Sequence, residues 1–436
     1  MIRGIGPRSF AFSVAGLMCA ALSCSFAIGC ECGQAGSGDT GSDLQANDPA
    51  SPDPDAPATD PLVEALSVSP ENIDFETNPE LLIRLRANPH NYFRFVWAEF
   101  AGQVCERFDD THAPEVNLHG DAHLEQYAIS DLGRGLTDFD GASAGPAFLD
   151  LVRMGTSIRL VAAMHGWEDE VPRLAEAFIA AYRGGVEVDT HAPLPPEPPL
   201  IARIRASFDA DQSDLLSTTA SLVEPLPEDE TARAREAMGP YIAAQRAENP
   251  ELDTAFFDLV SIGRLNIGIG SALDEKYLLR VRGPTDAPDD DVVLEAKEVH
   301  PTSAIPCVGS RSSAPDPFRI LVGESRIAYR PFPYLGYMRA RGLVFWIHAW
   351  TANYQEVSAT DSLETPEDLR ALVEDIGHQL GRGHVNQIAA PLDAQLRRAV
   401  LGFIDENVGL LDEVVLEMAA AIERAFRRFV EATDGP

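Results

Sequence analysis

The chain has 436 residues, enough for one large core or two lobes, and sets 68 acidic against 34 basic side chains for a formal net charge of −34. A surface this acidic argues against nucleic acid as a partner, because phosphate backbones are gripped by basic faces. No Cys/His spacing of the zinc type occurs among its six cysteines and ten histidines.

Arg3 and Arg8 precede an apolar, small-residue run over 10–29, the pattern of a secretory signal peptide at 1–29. The run ends Phe26-Ala27-Ile28-Gly29-Cys30, as bacterial lipoprotein cleavage sites do, so Cys30 is the expected lipid-anchored terminus. Cys24 is the second choice, and an ordinary signal or uncleaved anchor is the plain alternative. Loss of 1–29 removes two arginines and no acid, which takes the charge to −36. Residues 30–65 are rich in Gly, Ser, Asp, Ala and Pro and read as a disordered tether, since they cannot bury enough apolar surface to fold. The folded domain is expected over 66–436. The expected location is the cell envelope, at the periplasmic or outer surface, with secretion as the alternative.

Residues 79–86 and 92–105 read as helices, the second with Tyr92, Phe95, Val96, Phe100 and Val104 near helical period. Leu118 ends a strand that enters His119-Gly120-Asp121-Ala122-His123. A turn-rich stretch over 130–135 forms a hairpin, followed by Asp138-Phe139-Asp140 and Asp150. Two acidic centres at this spacing suit phosphoryl transfer, in which one carboxylate orients the attacking hydroxyl and others hold Mg²⁺ against phosphate oxygens. Asp121 fits the first role; Asp138, with Asp140 second, fits the metal. Five residues after Asp121, where kinase-type loops carry a metal-ligating Asn, stands Gln126, which keeps the carbonyl but displaces it by a methylene. His119 braces the loop backbone, His123 pairs with a neighbouring carboxylate, and both join Asp121 as catalytic-loop candidates. A structural turn aspartate is the plain alternative for Asp121. Asp150 opens a helix over 150–167, where its carboxylate can cap free N–H groups or hydrogen-bond the catalytic loop, a supporting role.

A helix over 171–182, a proline-rich loop over 193–199 and two polar helices within 201–250 come next. Strands follow at 260–268, 276–281 and 292–296. Between the first two, Gly268, Gly270 and Ser271 form a loop whose N–H groups can approach phosphates, though glycines also serve turns alone. Lys276 and Lys297 are the only lysines. Lys297, on an apolar strand, suits the lysine that pairs α- and β-phosphates, with Glu324 on the next helix (318–329) as its ion-pair partner and Glu298 the runner-up. A buried strand at 342–350 precedes a helix announced by Thr365-Pro366-Glu367-Asp368, with His384 a buried histidine near its end. A long amphipathic helix over 413–432 closes the chain. Cys105 and Cys307 are the only cysteines of the expected folded domain, and an oxidising compartment permits their bonding.

From Asn88 to about Gln387 the sequence resembles the bacterial domain-of-unknown-function 2252 family. The matching segments come in the family's order: Pro89-His90-Asn91-Tyr92-Phe93-Arg94, Gly120-Asp121-Ala122-His123, then Asp138-Phe139-Asp140 with Gly145-Pro146 and Asp150. Ile267-Gly268-Ile269-Gly270-Ser271 and Glu295-Ala296-Lys297-Glu298 complete the set. Departures fall at Phe95, Gln126, Tyr127, Thr137 and Gly141, several beside the site. The resemblance implies an α+β, two-lobed, protein-kinase-like fold of the aminoglycoside-phosphotransferase type. Its order is permuted, because the catalytic-loop core (88–185) precedes the strand-rich nucleotide lobe (255–350) and C-terminal helices (365–434). The expected function is a kinase-like envelope protein that binds ATP and Mg²⁺ and passes phosphate to an unidentified hydroxyl acceptor. A pseudokinase acting as a binding or scaffolding module is the alternative, and a metallophosphoesterase the lesser one.

Overall fold

Asp60 caps the first helix in the computed structural model, which describes residues 60–434 apart from 77, 110, 190, 254, 268, 270–272, 286 and 310–313. The expected signal, the expected lipid-anchored Cys30, most of the expected tether, and Gly268, Gly270 and Ser271 lie outside the described residues. The described residues include the last part of the expected tether. Helix α1 (Pro61–Ala65) buries Leu62 and Val63, and Asp60 pairs with Arg424 at 2.7 Å. A short apolar face inside a polar composition concealed it.

Helices α2 (Pro79–Ala87), α3 (Pro89–Phe95) and α4 (Trp97–Arg107) follow. The single expected helix over 92–105 is two, broken at Val96, whose φ of −91° and ψ of 35° leave the helical region. Strand β1 (Glu115–Leu118) leads to the hairpin β2 (Tyr127–Ser130) and β3 (Gly133–Leu136), and β4 (Ser143–Pro146) pairs antiparallel with β1. Helix α5 (Phe148–Met164) buries Leu151, Met154, Ile158, Val161 and Ala162, the inward face its sequence predicts. Helix α6 (Val171–Glu187) comes next.

The polar stretch holds four helices rather than two: α7 (Pro199–Arg205), α8 (Gln212–Leu222), α9 (Glu228–Ala237) and α10 (Gly239–Glu248), with strand β5 (Val223–Pro225) between the second and third. Asp211 and Asp214 form a capping box on α8, which supplies the N-terminal signal for one of the extra helices. Strands β6 (Leu259–Leu265), β7 (Lys276–Val281), β8 (Val292–Glu298), β9 (Gly336–Ala340) and β10 (Leu343–Ala349) join β5 in a six-stranded antiparallel sheet in the order β5-β6-β7-β8-β10-β9, with helix α11 (Pro317–Ile327) between β8 and β9 in the chain. Alternation gives the sheet two faces. Tyr277, Leu279, Leu294, Ala296, Phe345 and Ile347 share one core with Met238 and Tyr241, whereas Leu278 and Val293 on the other face pack with Leu215 and Leu216 of α8.

Strand β11 (Tyr354–Glu356) adds to β2, and α12 (Pro366–His384) starts with the Thr365/Asp368 capping box expected of it. Helix α13 (Leu392–Thr433) begins 21 residues before the expected 413, and its interior Gly402 and Gly409 face open space and are tolerated. The architecture is mixed α+β with several antiparallel sheets. Among the described residues no helix is long and apolar enough to cross a membrane.

Cys105 at the end of α4 is bonded to Cys307 in the segment between β8 and α11, across 202 residues of sequence. A ring of that size restricts the unfolded chain strongly, so Cys105→Ser with Cys307→Ser is expected to lower unfolding free energy by about 2–5 kcal/mol. A urea titration of oxidised and double-mutant protein measures it; equal midpoints would exclude a stabilising bond.

Candidate functional site

The loop after β1 is held from beneath by one carboxylate. Asp150, on the first turn of α5, accepts from His119 N–H at 2.7 Å and Gly120 N–H at 2.8 Å, and His384 Nε2 lies 3.0 Å from the same group. Tyr182 Oη sits 2.7 Å from the other nitrogen of His384. Burial opposes the charge on Asp150, but the His384 and backbone hydrogen bonds outweigh it and hold the carboxyl below its ordinary range. The support expected of Asp150 is realised, and His384 is the buried histidine that completes it. His119 is a brace as well: its Nε2 meets the Thr137 carbonyl at 2.9 Å, and the ring lies outside the cavity lining. Of the three catalytic-loop candidates, His119 therefore takes no place at the cavity.

Gly120 has φ +84°, and a Cβ on it would overlap the Gly141 carbonyl. The two acidic loops thus touch backbone to backbone, a closeness that only glycine permits. Asp121 is brought beside the Asp138 turn. Its Oδ1 takes Arg153 Nε at 2.8 Å, and its Oδ2 receives Gln126 Nε2 at 3.3 Å and has His123 Nε2 at 3.7 Å. His123 thus faces Asp121, but desolvation holds this imidazole well below its usual pKa and so neutral, and the two form no ion pair. Gln126 Nε2 is also 3.4 Å from Asp138 Oδ2, so one amide spans both acids. Burial raises the pKa of Asp121 and the Arg153 guanidinium opposes the rise, with burial prevailing. Arg153 in turn lies 3.6 Å over the Phe93 ring.

Asp138 adopts a left-handed conformation, φ 57°, which swings the following turn toward the sheet. Lys297 Nζ reaches Asp138 Oδ1 at 2.5 Å and Asp140 Oδ2 at 2.6 Å, and Trp346 Nε1 donates to Asp140 Oδ1 at 2.5 Å. Burial opposes ionisation of both carboxyls; the Lys297 ammonium overcomes it at Asp138, which stays below the usual range, while Asp140 is pushed up. Arg319 of α11 ties down the turn by donating to the carbonyls of Asp140 and Ala142.

Glu324 does not pair with Lys297. It sits on the expected helix, but its Oε1 accepts Phe332 N–H at 2.6 Å, and full burial pushes its pKa to about 7. The turn carboxylates occupy Nζ instead. The runner-up Glu298 lines the cavity and accepts Glu275 N–H at 3.1 Å.

Asp121, His123, Gln126, Asp138, Asp140 and Lys297 all line one cavity of about 720 Å³ between the catalytic loop and the cavity face of the sheet. Its floor is laid in register rows: Lys276, Lys297 and Trp346 across β7, β8 and β10, then Leu278, Glu295 and His348. Glu295 Oε2 is 3.2 Å from His348 Nε2 and 2.7 Å from Trp350 Nε1. Asp214, Leu215, Thr218 and Thr219 of α8 overhang the far side. Arg153, Arg319, Trp346 and the α8 roof have no motif in the sequence; only the scarcity of lysine marked Lys276.

Among the described residues no three His, Cys, Asp or Glu side chains cluster as a metal cage. What Asp138, Asp140 and Gln126 provide is two carboxylates and an amide, with one cation, Lys297 Nζ, already held between the acids. Mg²⁺ is usually bound by one or two carboxylates together with substrate phosphates, so this donor set fits that ion.

Fold and cleft define an α+β protein whose acid-bearing loops face a lysine-bearing antiparallel sheet across a roofed cavity. The chain belongs to the family described as "Uncharacterized protein conserved in bacteria (DUF2252)", which it matches over residues 79–194 and 199–432. No curated protein and no solved structure matches it.

Proposed function

We propose that the protein is a kinase-like phosphotransferase of permuted order that binds ATP with Mg²⁺ in this cavity and transfers phosphate to a hydroxyl acceptor. The observation that carries the reading is the meeting of Lys297 with Asp138 and Asp140, beside Asp121, on one cavity wall. Kinases place the phosphate-binding lysine on the third strand of a sheet and a helix after it. Lys297 stands on β8, an inner strand and the fourth of its sheet in chain order, and α11 follows. Asp121 takes the acceptor proton as the hydroxyl oxygen bonds to the γ-phosphorus, and the β–γ bridging bond breaks to release ADP. Asp138 and Asp140, with Gln126, would hold Mg²⁺, which would supply charge neutralisation on the phosphates there.

One observation favours the pseudokinase alternative: the Gln126 amide already bridges Asp121 and Asp138. A metallophosphoesterase has less support, since its cluster of metal ligands has no counterpart among the described residues. An envelope location anchored at Cys30 rests on the signal pattern, and the Cys105–Cys307 bond agrees with an oxidising compartment.

Calorimetry with ATP, with and without Mg²⁺, tests the reading. Micromolar, Mg²⁺-dependent binding is expected. Lys297→Ala should weaken it about 10- to 100-fold through loss of a charged hydrogen bond, and Asp138→Ala should remove the Mg²⁺ dependence. A well-folded wild type that binds no ATP would sink the nucleotide reading.

A further inference from the structure

The acids around the catalytic loop have partners, with one exception. Arg153 holds Asp121, Lys297 lies between Asp138 and Asp140, and Arg94 reaches Glu125, which also accepts Ala359 N–H at 2.8 Å. Glu356 of β11 is unmatched: among the described residues its carboxylate makes no ion pair, and it accepts one hydrogen bond, from Tyr354 Oη at 3.3 Å. Strand alternation turns Tyr354 and Glu356 to one side, and both line the cavity. Glu356 stands opposite Ala128, two residues beyond Gln126, which sets it at the catalytic-loop end. Desolvation within the cavity raises its pKa, Arg94 opposes the rise, and the charges of Asp138 and Glu125 add to it. Trp97, three residues after Arg94, lines the cavity as well, and Tyr354 is 39 % exposed there. The described wall carries eight Asp and Glu against four Lys and Arg, a balance that favours a cation over an anion.

We propose that Glu356, Trp97 and Tyr354 form a subsite for an organic cation, and that the hydroxyl acceptor is a small alcohol bearing an ammonium group. The acceptor role rests on the function proposed above; the cation subsite does not. A carboxylate partly withdrawn from water gains more from an opposite charge than one in bulk solvent. The faces of Trp and Tyr attract an ammonium group that lies within about 6 Å of the ring, whether it is primary or quaternary. Arg94 is taken by Glu125 and leaves Glu356 to the ligand. An anionic acceptor would instead meet Glu356 and Asp121 as like charges. In the transfer the hydroxyl proton passes to Asp121, the hydroxyl oxygen bonds to the γ-phosphorus and ADP leaves. The ammonium group stays beside Glu356 and none of its bonds changes.

The test is calorimetric titration of wild type, Glu356→Gln and Trp97→Leu with ethanolamine, choline and 3,3-dimethylbutanol, the neutral isostere of choline; wild type is also titrated with Mg²⁺-ATP. Glutamine keeps the shape of Glu356 and removes a charge that has no counter-ion, so the urea midpoint of this variant should equal or exceed that of wild type. Both cations are expected to bind wild type, about 10- to 100-fold more weakly in Glu356→Gln and about 3- to 30-fold more weakly in Trp97→Leu. The neutral isostere should show no loss in Glu356→Gln. Wild type that binds neither cation, or binds choline no better than its isostere, overturns the subsite, as does full cation affinity in a folded Glu356→Gln. Cation binding that depends on Glu356 in a protein that takes no ATP would uphold the subsite and sink the phosphate-transfer reading. Mg²⁺-ATP binding without cation binding would overturn the subsite and leave the nucleotide reading standing.

Discussion

Asp150→Ala is expected to lower the unfolding free energy by about 3–5 kcal/mol, the range for removal of one partner from a buried charged network. The carboxylate is fully buried and serves three donors at once: His119 N–H, Gly120 N–H and His384. Alanine strands all of them away from water. Asn keeps one oxygen, so Asp150→Asn should recover part of the loss. The pH dependence follows from the depressed folded pKa: the contribution is present above the ordinary 3.8 and is lost as pH falls through the lower folded value. Urea titrations at neutral pH and near pH 3 compare wild type with both variants. An alanine variant within about 1 kcal/mol of wild type would show that the loop does not depend on this anchor.

Asp121→Asn is expected to reduce phosphate transfer from Mg²⁺-ATP about 10²- to 10⁴-fold, the usual worth of a positioned general base, while leaving nucleotide affinity near wild type. The separation follows from contacts. Asp121 is bound by Arg153 and Gln126, whereas Lys297 reaches Asp138 and Asp140. Asparagine preserves the shape and still accepts from Arg153, so the fold should hold. Phosphate release with water as acceptor gives the rate and calorimetry gives the affinity. A folded variant with undiminished turnover would remove Asp121 from the base role, and loss of affinity together with rate would place it in the nucleotide site instead.

Local chemistry made much of the fold legible. Thr365, Pro366 and Asp368 announce α12 because capping is a matter of a few adjacent residues, and the inward face of α5 follows from helical period. Breaks and continuations that tertiary packing decides were not legible. Val96 interrupts a periodic run, whereas Gly402 and Gly409 fail to interrupt one. At the site, Asp121, Gln126, Asp138, Asp140 and Lys297 were identifiable by type and spacing, and they share the cavity. Side-chain direction was not. Glu324 is on the expected helix with its carboxylate turned to Phe332, and Arg153 meets Asp121 only because α5 runs beneath the loop. Strand register, which faces Lys276 with Lys297, is likewise fixed by pairing between segments and has no mark in either strand alone.

The Cys105–Cys307 bond encloses more than it joins. Asp121, Gln126, Asp138, Asp140, Lys276 and Lys297 all fall between the two cysteines, as do helices α5–α10. A single proteolytic cut anywhere in that span, including the exposed polar helices α8–α10, therefore leaves one covalent molecule with both halves of the cavity still attached. Such nicked protein would migrate as one species on a non-reducing gel and separate into two only after a thiol is added.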